Sequence, residues 1–153
     1  MRLWRLARAA YKALDGEGAR IAGGRWSPVG FPVVYTSTHL SLAALEILVH
    51  TDPEDIPTDF LAIEIDADDT LFAPRIDPAT LPPDWTVQMD GAACRAIGQD
   101  WIRRGVHLAL AVPSAVIPAE TNVLINPRHP RMAGSVTVIS EAPFGFDARL
   151  SRR

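Results

Sequence analysis

A chain of 153 residues, 48% of them hydrophobic, is long and apolar enough to bury a core, and we expect residues 1–153 to form one domain. Its single cysteine, Cys94, excludes an internal disulfide and fits a reducing compartment. No apolar run approaches the roughly 20 residues of a membrane span, and no continuous apolar stretch follows the first arginines. The sequence therefore predicts a cytoplasmic protein.

The net charge of −3 conceals an uneven distribution. Residues 1–25 carry a net charge of +4, residues 26–127 carry −10 and residues 128–153 carry +3. If the two ends meet in the fold, they form a positive face that suits a phosphorylated ligand, an acidic partner or nucleic acid. A solvated surface explains the same charges equally well.

Strands are predicted where apolar or β-branched runs alternate or lie between turn residues. In chain order these runs are 3–7, 33–37, 60–66, 108–112, 121–125, 135–140 and 144–150. Helices are expected at 9–14, 41–51 and 90–104, with a Gly-rich loop up to Gly24 and an irregular segment over 66–89. Strands and helices do not alternate regularly, so a mixed α+β class is favoured over a doubly wound sheet.

The predicted helix ends follow from capping residues. Ser41 or Thr38 is the expected N-cap of helix 41–51, and Pro53 helps to end that helix. Asp90 is the expected N-cap of helix 90–104, which Gly105 follows.

Glu46 is the only Asp, Glu, Lys or Arg between Arg25 and Asp52, and its helix is apolar nearly all round. Such a helix is normally buried, and a buried carboxylate is costly unless something pairs with it or uses it. A glutamate at the helix edge with its carboxylate in water, or a buried pair with Arg25, explains the pattern structurally. The lack of other charges nearby makes Glu46 a candidate catalytic residue.

Arg25 and Tyr35 lie close to Glu46 in sequence. Arg25 follows two glycines, which let a backbone approach a ligand closely, and its guanidinium suits phosphate or carboxylate. Tyr35 lies within a predicted strand, where it either stacks on a ring or fills the core. Within about one strand–helix unit, this grouping favours a site for an anionic ligand.

Ser114 follows Pro113 at the exit of a predicted buried strand, in a stretch without charge. No Gly-x-Ser-x-Gly motif surrounds it, so a serine nucleophile is not expected. The histidines show no recognised metal spacing, and we expect no metal. Cys94 is expected to pack on an apolar helix face.

Taken in order, these segments resemble the RES domain, a bacterial toxin family named for an arginine, a glutamate and a serine. The resemblance covers nearly the whole chain. The matching segments are Gly24-Arg25-Trp26-Ser27-Pro28, Val33-Val34-Tyr35-Thr36-Ser37, Ser41-Leu42-Ala43-x-Leu45-Glu46-x-Leu48-Val49-His50, Gly98-x-x-Trp101, Val112-Pro113-Ser114-Ala115-Val116 and Glu120-x-Asn122-x-Leu124-x-Asn126-Pro127-x-His129-Pro130. The three name-giving residues correspond to Arg25, Glu46 and Ser114, and the family's tyrosine corresponds to Tyr35.

The resemblance implies a fold like that of ADP-ribosyltransferase toxins, with two small packed β-sheets and a few helices around an NAD cleft. It implies NAD+ as the substrate, without a metal. It also implies a toxin–antitoxin pair, in which an Xre-type helix-turn-helix antitoxin blocks the cleft. DNA contact would belong to the antitoxin, and no membrane is involved.

The same resemblance implies roles for individual residues in NAD+ cleavage. Glu46 would stabilise an oxocarbenium-like state and hold the ribose hydroxyls. Arg25 would clamp a phosphate or the nicotinamide-side ribose, and Tyr35 would stack on nicotinamide. Ser114 would bond the amide or position Glu46, and Arg5 would be a further phosphate contact.

Three functions of different classes follow from the sequence. The first is NAD+ consumption and growth arrest, with ADP-ribose passing to water or phosphate, or alternatively to a protein such as a nucleotide-biosynthesis enzyme. The second is a non-catalytic binding module, in which Arg25 and Glu46 form a structural ion pair. The third is a nucleic-acid binder that uses the two basic ends.

Overall fold

The computed structural model describes residues 1–52, 55–87 and 91–151. Among these residues, seven strands form one hydrogen-bonded sheet. In chain order they are β1 (Arg2–Arg8), β2 (Val34–Ser37), β3 (Phe60–Ala67), β4 (Phe72–Ala73), β5 (Ala109–Pro113), β6 (Thr121–Ile125) and β7 (Val136–Phe144). Their order across the sheet is β4-β5-β6-β2-β1-β3-β7, and all neighbours are antiparallel except β4 and β5.

The sheet consists of two halves that meet at a narrow contact. Strands β7, β3 and β1 form one half, and β2, β6, β5 and β4 form the other. Strand β1 pairs with β3 along its whole length, but it meets β2 at Trp4 and Ser37. Buried Leu3 and Ile63 of the first half share a core cluster with Val34 of the second, so the halves also pack together. The predicted α+β class is confirmed, and the two expected sheets correspond to the halves of one continuous ladder.

Helices pack on both halves of the sheet. They are α1 (Glu17–Ala22), α2 (Leu40–Leu48), α3 (Ala92–Arg104) and the single turn α4 (Met132–Ser135). Helix α2 packs through Ala43 on Leu6 of β1. Helix α3 packs through Cys94 and Trp101 on Leu110 of β5, which confirms Cys94 as a packing residue. None of the helices in the described ranges is long and apolar enough to cross a membrane.

The segment predicted as a Gly-rich loop contains helix α1 instead. Asp15 accepts a hydrogen bond from the Glu17 amide at 3.0 Å, and Arg20 forms an ion pair with Glu17 one turn on. Gly16 and Gly23 lie at the two ends with positive φ, which suits chain reversal at a short helix. The predicted helix 9–14 is only a 3₁₀ turn, Ala9–Tyr11.

The C-terminal strands were also predicted incorrectly. Strand β7 runs from Val136 to Phe144, well beyond the predicted end at 140, whereas 144–150 is not a second strand and leads into the 3₁₀ turn Ala148–Ser151. Pro143 does not interrupt the strand because β7 lies at the edge of the sheet, where a missing N–H is tolerated.

The predicted helix caps have mixed outcomes. His39 is the N-cap of α2 in extended conformation, without a side-chain bond, so Ser41 and Thr38 were the wrong candidates. Gly105 ends α3 with φ 59° and donates its N–H to Trp101 O at 3.1 Å, as expected. Asp90 and Pro53 lie outside the described residues.

Helix α2 is not buried all round, contrary to the expectation from its composition. Leu42 and Ala43 are buried against the sheet, but Leu45 is 38% exposed and Val49 is 58% exposed. The helix covers only one face of β1 and β3, so its opposite apolar face lies at the surface.

Within the described residues, the basic ends of the chain are partly neutralised. Several of their cations form ion pairs with carboxylates, and such pairing removes much of the local field that would attract nucleic acid. The pairs are Arg2–Glu64, Arg8–Asp59, Lys12–Glu141, Arg20–Glu17 and Arg149–Asp147.

Candidate active site

A cleft of about 430 Å³ lies beside the junction of the two half-sheets. Strand β1 lines it with Trp4 and Arg5, and β2 lines it with Tyr35 and Ser37. Helix α2 contributes Glu46 from the opposite wall. Strands β1 and β2 pair at Trp4 and Ser37, and both of these residues line the cavity.

Glu46 is held by contacts from the far half of the sheet. Ser114 Oγ donates to Glu46 Oε1 at 2.8 Å, and Asn122 Nδ2 donates to the same oxygen at 2.6 Å. Oε1 therefore has a donor for each of its two lone pairs. Hydrogen bonds to a carboxylate are stronger than those between neutral groups, so these two contacts hold the Glu46 side chain firmly in place.

Ser114 is fully buried, and its contacts direct its hydroxyl hydrogen towards Glu46 Oε1. The amides of Val116 and Ile117 both donate to Ser114 Oγ at 3.0 Å. A hydroxyl has two acceptor lone pairs and one proton, so the proton is left for Glu46 Oε1. This geometry makes Ser114 a support for the carboxylate.

Asn122 and Ser37 were not singled out individually from the sequence, although both lie in the matching segments. The two residues are directly opposite each other on β6 and β2. Ser37 Oγ donates to Asn122 Oδ1 at 2.6 Å, which leaves the amide nitrogen facing Glu46. Their register in neighbouring strands would have revealed the contact, but register cannot be read from one sequence.

Tyr35 lies with its ring in the cleft and its hydroxyl under the turn that carries Arg25. The Tyr35 hydroxyl accepts from the Trp26 amide at 3.2 Å and is 2.9 Å from Ser27 Oγ. Burial raises the pKa of the Tyr35 phenol, and the contact with Ser27 opposes that shift. A Cβ at Gly24 would overlap the hydroxyl, so the glycine allows the turn to sit on the ring.

Arg25 lines the cleft and also organises its rim. Its guanidinium donates to Trp85 O at 2.6 Å and to Thr86 O at 3.1 Å. The Trp26 and Trp85 rings lie 6.2 Å apart, so they join the same two segments that Arg25 joins. Glu46 and Arg25 thus line one cavity. Side chains of Ser114 and Asn122 hold the carboxylate, and main-chain carbonyls of the rim hold the guanidinium.

Arg5 is a half-buried cation that lines the cleft. One guanidinium nitrogen donates to Tyr11 O at 3.0 Å, whereas its Nε has no hydrogen-bond partner among the described residues. Burial lowers the pKa of Arg5, and the charge of Asp15 partly opposes this shift. A buried cation with an unsatisfied donor is costly unless an anion accompanies it.

The chemistry of the cleft follows from these charges. A fixed carboxylate can stabilise positive charge on a bound ligand, and Arg5 and Arg25 place two cations in the same cleft as Glu46. In the described part of the chain, no group of three or more His, Cys, Asp or Glu side chains is placed to hold a metal ion.

The protein is an α+β domain whose cleft, beside the junction of two half-sheets, is lined by one glutamate and two arginines. The model of the RES domain matches residues 2–147, so the chain belongs to the RES domain family and is a RES domain toxin. The resemblance drawn from the sequence is confirmed.

Characterised relatives match along nearly the whole chain. Toxin Res of Photorhabdus laumondii is 38% identical over 152 residues, covering 98% of this chain and 97% of the relative. The Prs ADP-ribosylating toxin of a Sphingobium species is 38% identical over 156 residues, covering 98% and 96%. Toxin Res of Pseudomonas putida is 40% identical over 152 residues, covering 98% and 99%.

The fold is similar to one in the crystal structure of the MbcT–MbcA toxin–antitoxin complex of M. tuberculosis. The TM-score is 0.77, over 94% of this chain and 83% of that chain. The sequence identity is 21%, so this likeness concerns the fold alone.

Proposed function

We propose that this chain is the toxin of a toxin–antitoxin pair and that it cleaves the nicotinamide–ribose bond of NAD+, passing ADP-ribose to water or phosphate. The observation that carries the proposal is the Glu46 carboxylate, fixed on one oxygen by Ser114 and Asn122 in a cleft that is also lined by Arg5. NAD+ has the matching charges, an anionic pyrophosphate and a cationic nicotinamide ring attached to ribose.

In the proposed reaction, the bond between the anomeric carbon and the ring nitrogen breaks, and its electron pair leaves with nicotinamide. The ring departs neutral, so no strong general acid is needed. The sugar becomes oxocarbenium-like, and Glu46 stabilises that charge. Oxygen of water or phosphate then bonds to the anomeric carbon, and the proton of the acceptor is released to solvent.

The other cleft residues take roles that fit their positions. Arg5 contacts phosphate, because its Nε is buried without a hydrogen-bond partner among the described residues. Arg25 contacts phosphate or the nicotinamide-side ribose while holding the rim at Trp85. The ring of Tyr35 stacks on nicotinamide, and Ser114 positions Glu46.

A second candidate is mono-ADP-ribosylation of a protein. It is favoured by the Sphingobium relative, whose name describes a Prs ADP-ribosylating toxin. The bond that breaks in NAD+ is the same, and only the acceptor differs. The structure of the cleft therefore supports NAD+ cleavage more directly than it supports any one acceptor.

The proposed partner is an Xre-type helix-turn-helix antitoxin that blocks the cleft. Support comes from the similar fold in the MbcT–MbcA complex, which is a toxin–antitoxin complex. Leu45 of α2 and Val49, which directly follows the helix, are exposed apolar side chains, and Val49 lies at the cleft itself. Apolar surface of this kind is typical of a protein interface.

The test is nicotinamide release from NAD+ by the purified chain, freed of antitoxin, with and without phosphate or cell lysate. Glu46→Gln keeps the size of the side chain and removes its charge, and it is expected to lower kcat by at least about 10²–10³-fold. Glu64→Gln is the matched control, since Glu64 bonds Arg2 and Ser140 on the outer sheet. Release by the parent and by Glu64→Gln, but not by Glu46→Gln, is the expected result.

The acceptor follows from the conditions that support release. Faster release with phosphate identifies phosphate, and release only with lysate identifies a protein acceptor. A folded parent chain that releases no nicotinamide under any condition refutes the proposal and favours a non-catalytic binding module. An unchanged melting temperature in excess NAD+ would agree with that result.

A further inference from the structure

We propose that Asn122, itself oriented by Ser37, is a positioning residue that fixes the orientation of the Glu46 carboxylate towards the cleft. This inference rests on the proposed function, because it assigns the support of the catalytic carboxylate. Neither residue touches the substrate in this assignment. Both act through Glu46.

The orientation of the Asn122 amide is determined by the sheet. Ser37 and Asn122 are cross-strand partners, so their side chains leave the sheet side by side. The Ser37 hydroxyl donates to Asn122 Oδ1 at 2.6 Å, and this contact requires the oxygen to face β2. The nitrogen must then face α2, where it donates to Glu46 Oε1 at 2.6 Å.

The same strand position connects the support to the cleft. Ser37 is the residue of β2 that pairs with Trp4 of β1, at the contact between the half-sheets. Ser37, Asn122 and Glu46 all line the cleft, and Ser37 is only 4% exposed. Ser37 and Asn122 therefore lie on paired strands, and Glu46 lies on helix α2; such elements hold side chains more rigidly than loops do.

The result of these contacts is an asymmetric carboxylate. Oε1 accepts from both Asn122 and Ser114, whereas the described residues place no donor on Oε2. Oε2 is the oxygen left to face the ribose. Ser114 alone would leave Glu46 free to rotate about one contact, and the second donor from Asn122 fixes the plane of the carboxylate.

The assignment predicts an order of effects on nicotinamide release. Asn122→Ala is expected to lower kcat about 10–100-fold, as for residues that orient other functional groups, with KM changed by less than about threefold. Ser37→Ala is expected to have a smaller effect in the same direction, since Ser37 acts only through Asn122. Adding Ser37→Ala to Asn122→Ala is expected to change nothing further.

Asn122→Asp separates positioning from general packing. It places a second carboxylate against Glu46 Oε1, and two adjacent carboxylates favour sharing a proton. Activity at neutral pH is expected to fall, and the acidic limb of the pH–rate profile is expected to move to higher pH. An asparagine that only fills space would not move that limb.

The matched control is Asn126→Ala. Asn126 is a buried asparagine directly after β6, but its side chain accepts from the Arg128 amide and it does not line the cleft. Its loss is expected to lower the melting temperature without changing kcat in the folded fraction. A kcat of Asn122→Ala within about twofold of the parent, or an unmoved profile for Asn122→Asp, overturns the assignment.

A measurement without turnover distinguishes this assignment from the proposed reaction. The side-chain amide resonances of Asn122 in ¹H–¹⁵N spectra of the folded chain are expected to shift in both Glu46→Gln and Ser37→Ala. If they shift but the parent releases no nicotinamide, the reaction is refuted and the support of Glu46 stands. If neither variant shifts them, the assignment is overturned whatever the turnover.

Discussion

The main-chain carbonyl of Trp26 lies directly against Gly98 in helix α3, and a Cβ at position 98 would overlap that oxygen. Trp26 follows Arg25, so this close approach brings α3 against the rim of the cleft. Trp101, three residues after Gly98, is buried in the same cluster as Trp26. The spacing Gly98-x-x-Trp101 therefore has a packing cause, since glycine admits the backbone and tryptophan fills the space beside it.

We expect Gly98→Ala to lower the free energy of unfolding by at least about 1–3 kcal/mol, because the added methyl must displace backbone atoms. Gly18→Ala is the matched control within helix α1. A Cβ at Gly18 meets nothing within 4 Å, so alanine is expected to stabilise by about 0.5–1 kcal/mol. Urea unfolding of both variants measures these two changes in the free energy of unfolding. Equal stabilisation by both would contradict the close approach of α3 to Trp26.

Local patterns in the sequence were sufficient for much of the fold. Strand 121–125 matches β6 residue for residue, because its β-branched and apolar residues are bounded by turn residues. Gly105 marked the end of α3 correctly, because a left-handed residue ends a helix through local geometry. Helix α1 was missed because its stability depends on Asp15 and on the Glu17–Arg20 pair rather than on apolar periodicity.

The candidate site was predictable only where a residue was locally unusual. Glu46 was conspicuous as an isolated charge, and the structure brings it into one cleft with Arg25 and Tyr35. The support from Asn122 and Ser37 was not visible, because those contacts join residues 76 and 85 positions apart. Such contacts are set by strand register, which a single sequence does not show.

Ser114→Ala tests the hydrogen bond that Glu46 accepts from Ser114, the residue directly after β5. It removes one donor to Oε1 and leaves the amides of Val116 and Ile117 without their acceptor. We expect a loss of about 1–3 kcal/mol in unfolding free energy, together with a kcat about 10–100-fold lower. Chemical unfolding and nicotinamide release measure the two effects.

The control for that variant is another serine–glutamate contact. Ser140 Oγ donates to Glu64 Oε2 at 3.0 Å on the exposed strand β7. Ser140→Ala is expected to change neither stability by more than about 0.5 kcal/mol nor turnover. Equal loss of activity in the two variants would contradict a specific role for Ser114.

Tyr35 gives the protein an alkaline stability limit. Burial raises the pKa of its phenol in the folded state, so the folded chain binds that proton more tightly than the unfolded chain. The contribution to stability is complete below the usual value of about 10 and is lost as pH rises through the higher folded-state value. Phenolate absorbance during alkaline titration is expected to show a late step that Tyr35→Phe abolishes. The surface variant Tyr11→Phe should retain the late step, and its loss there would contradict the assignment.

We expect Arg5 to favour ligand binding while lowering the free energy of unfolding. Its Nε is buried without a partner among the described residues, and burial lowers the pKa of the guanidinium. Replacing an inadequately paired buried charge by an apolar side chain is often neutral or stabilising. We therefore expect Arg5→Leu to keep or raise the free energy of unfolding, while the Kd for NAD+ rises about tenfold or more through loss of a charged hydrogen bond.

Arg8→Leu is the matched control for Arg5→Leu on the same strand. Arg8 is exposed and pairs with Asp59 at 2.9 Å, outside the cleft. Its replacement should leave NAD+ affinity unchanged, because a surface ion pair far from the ligand contributes little to binding. Calorimetric titration with NAD+ and urea unfolding give both quantities. A destabilised Arg5→Leu with unchanged NAD+ affinity would show that the guanidinium supports the fold rather than the ligand.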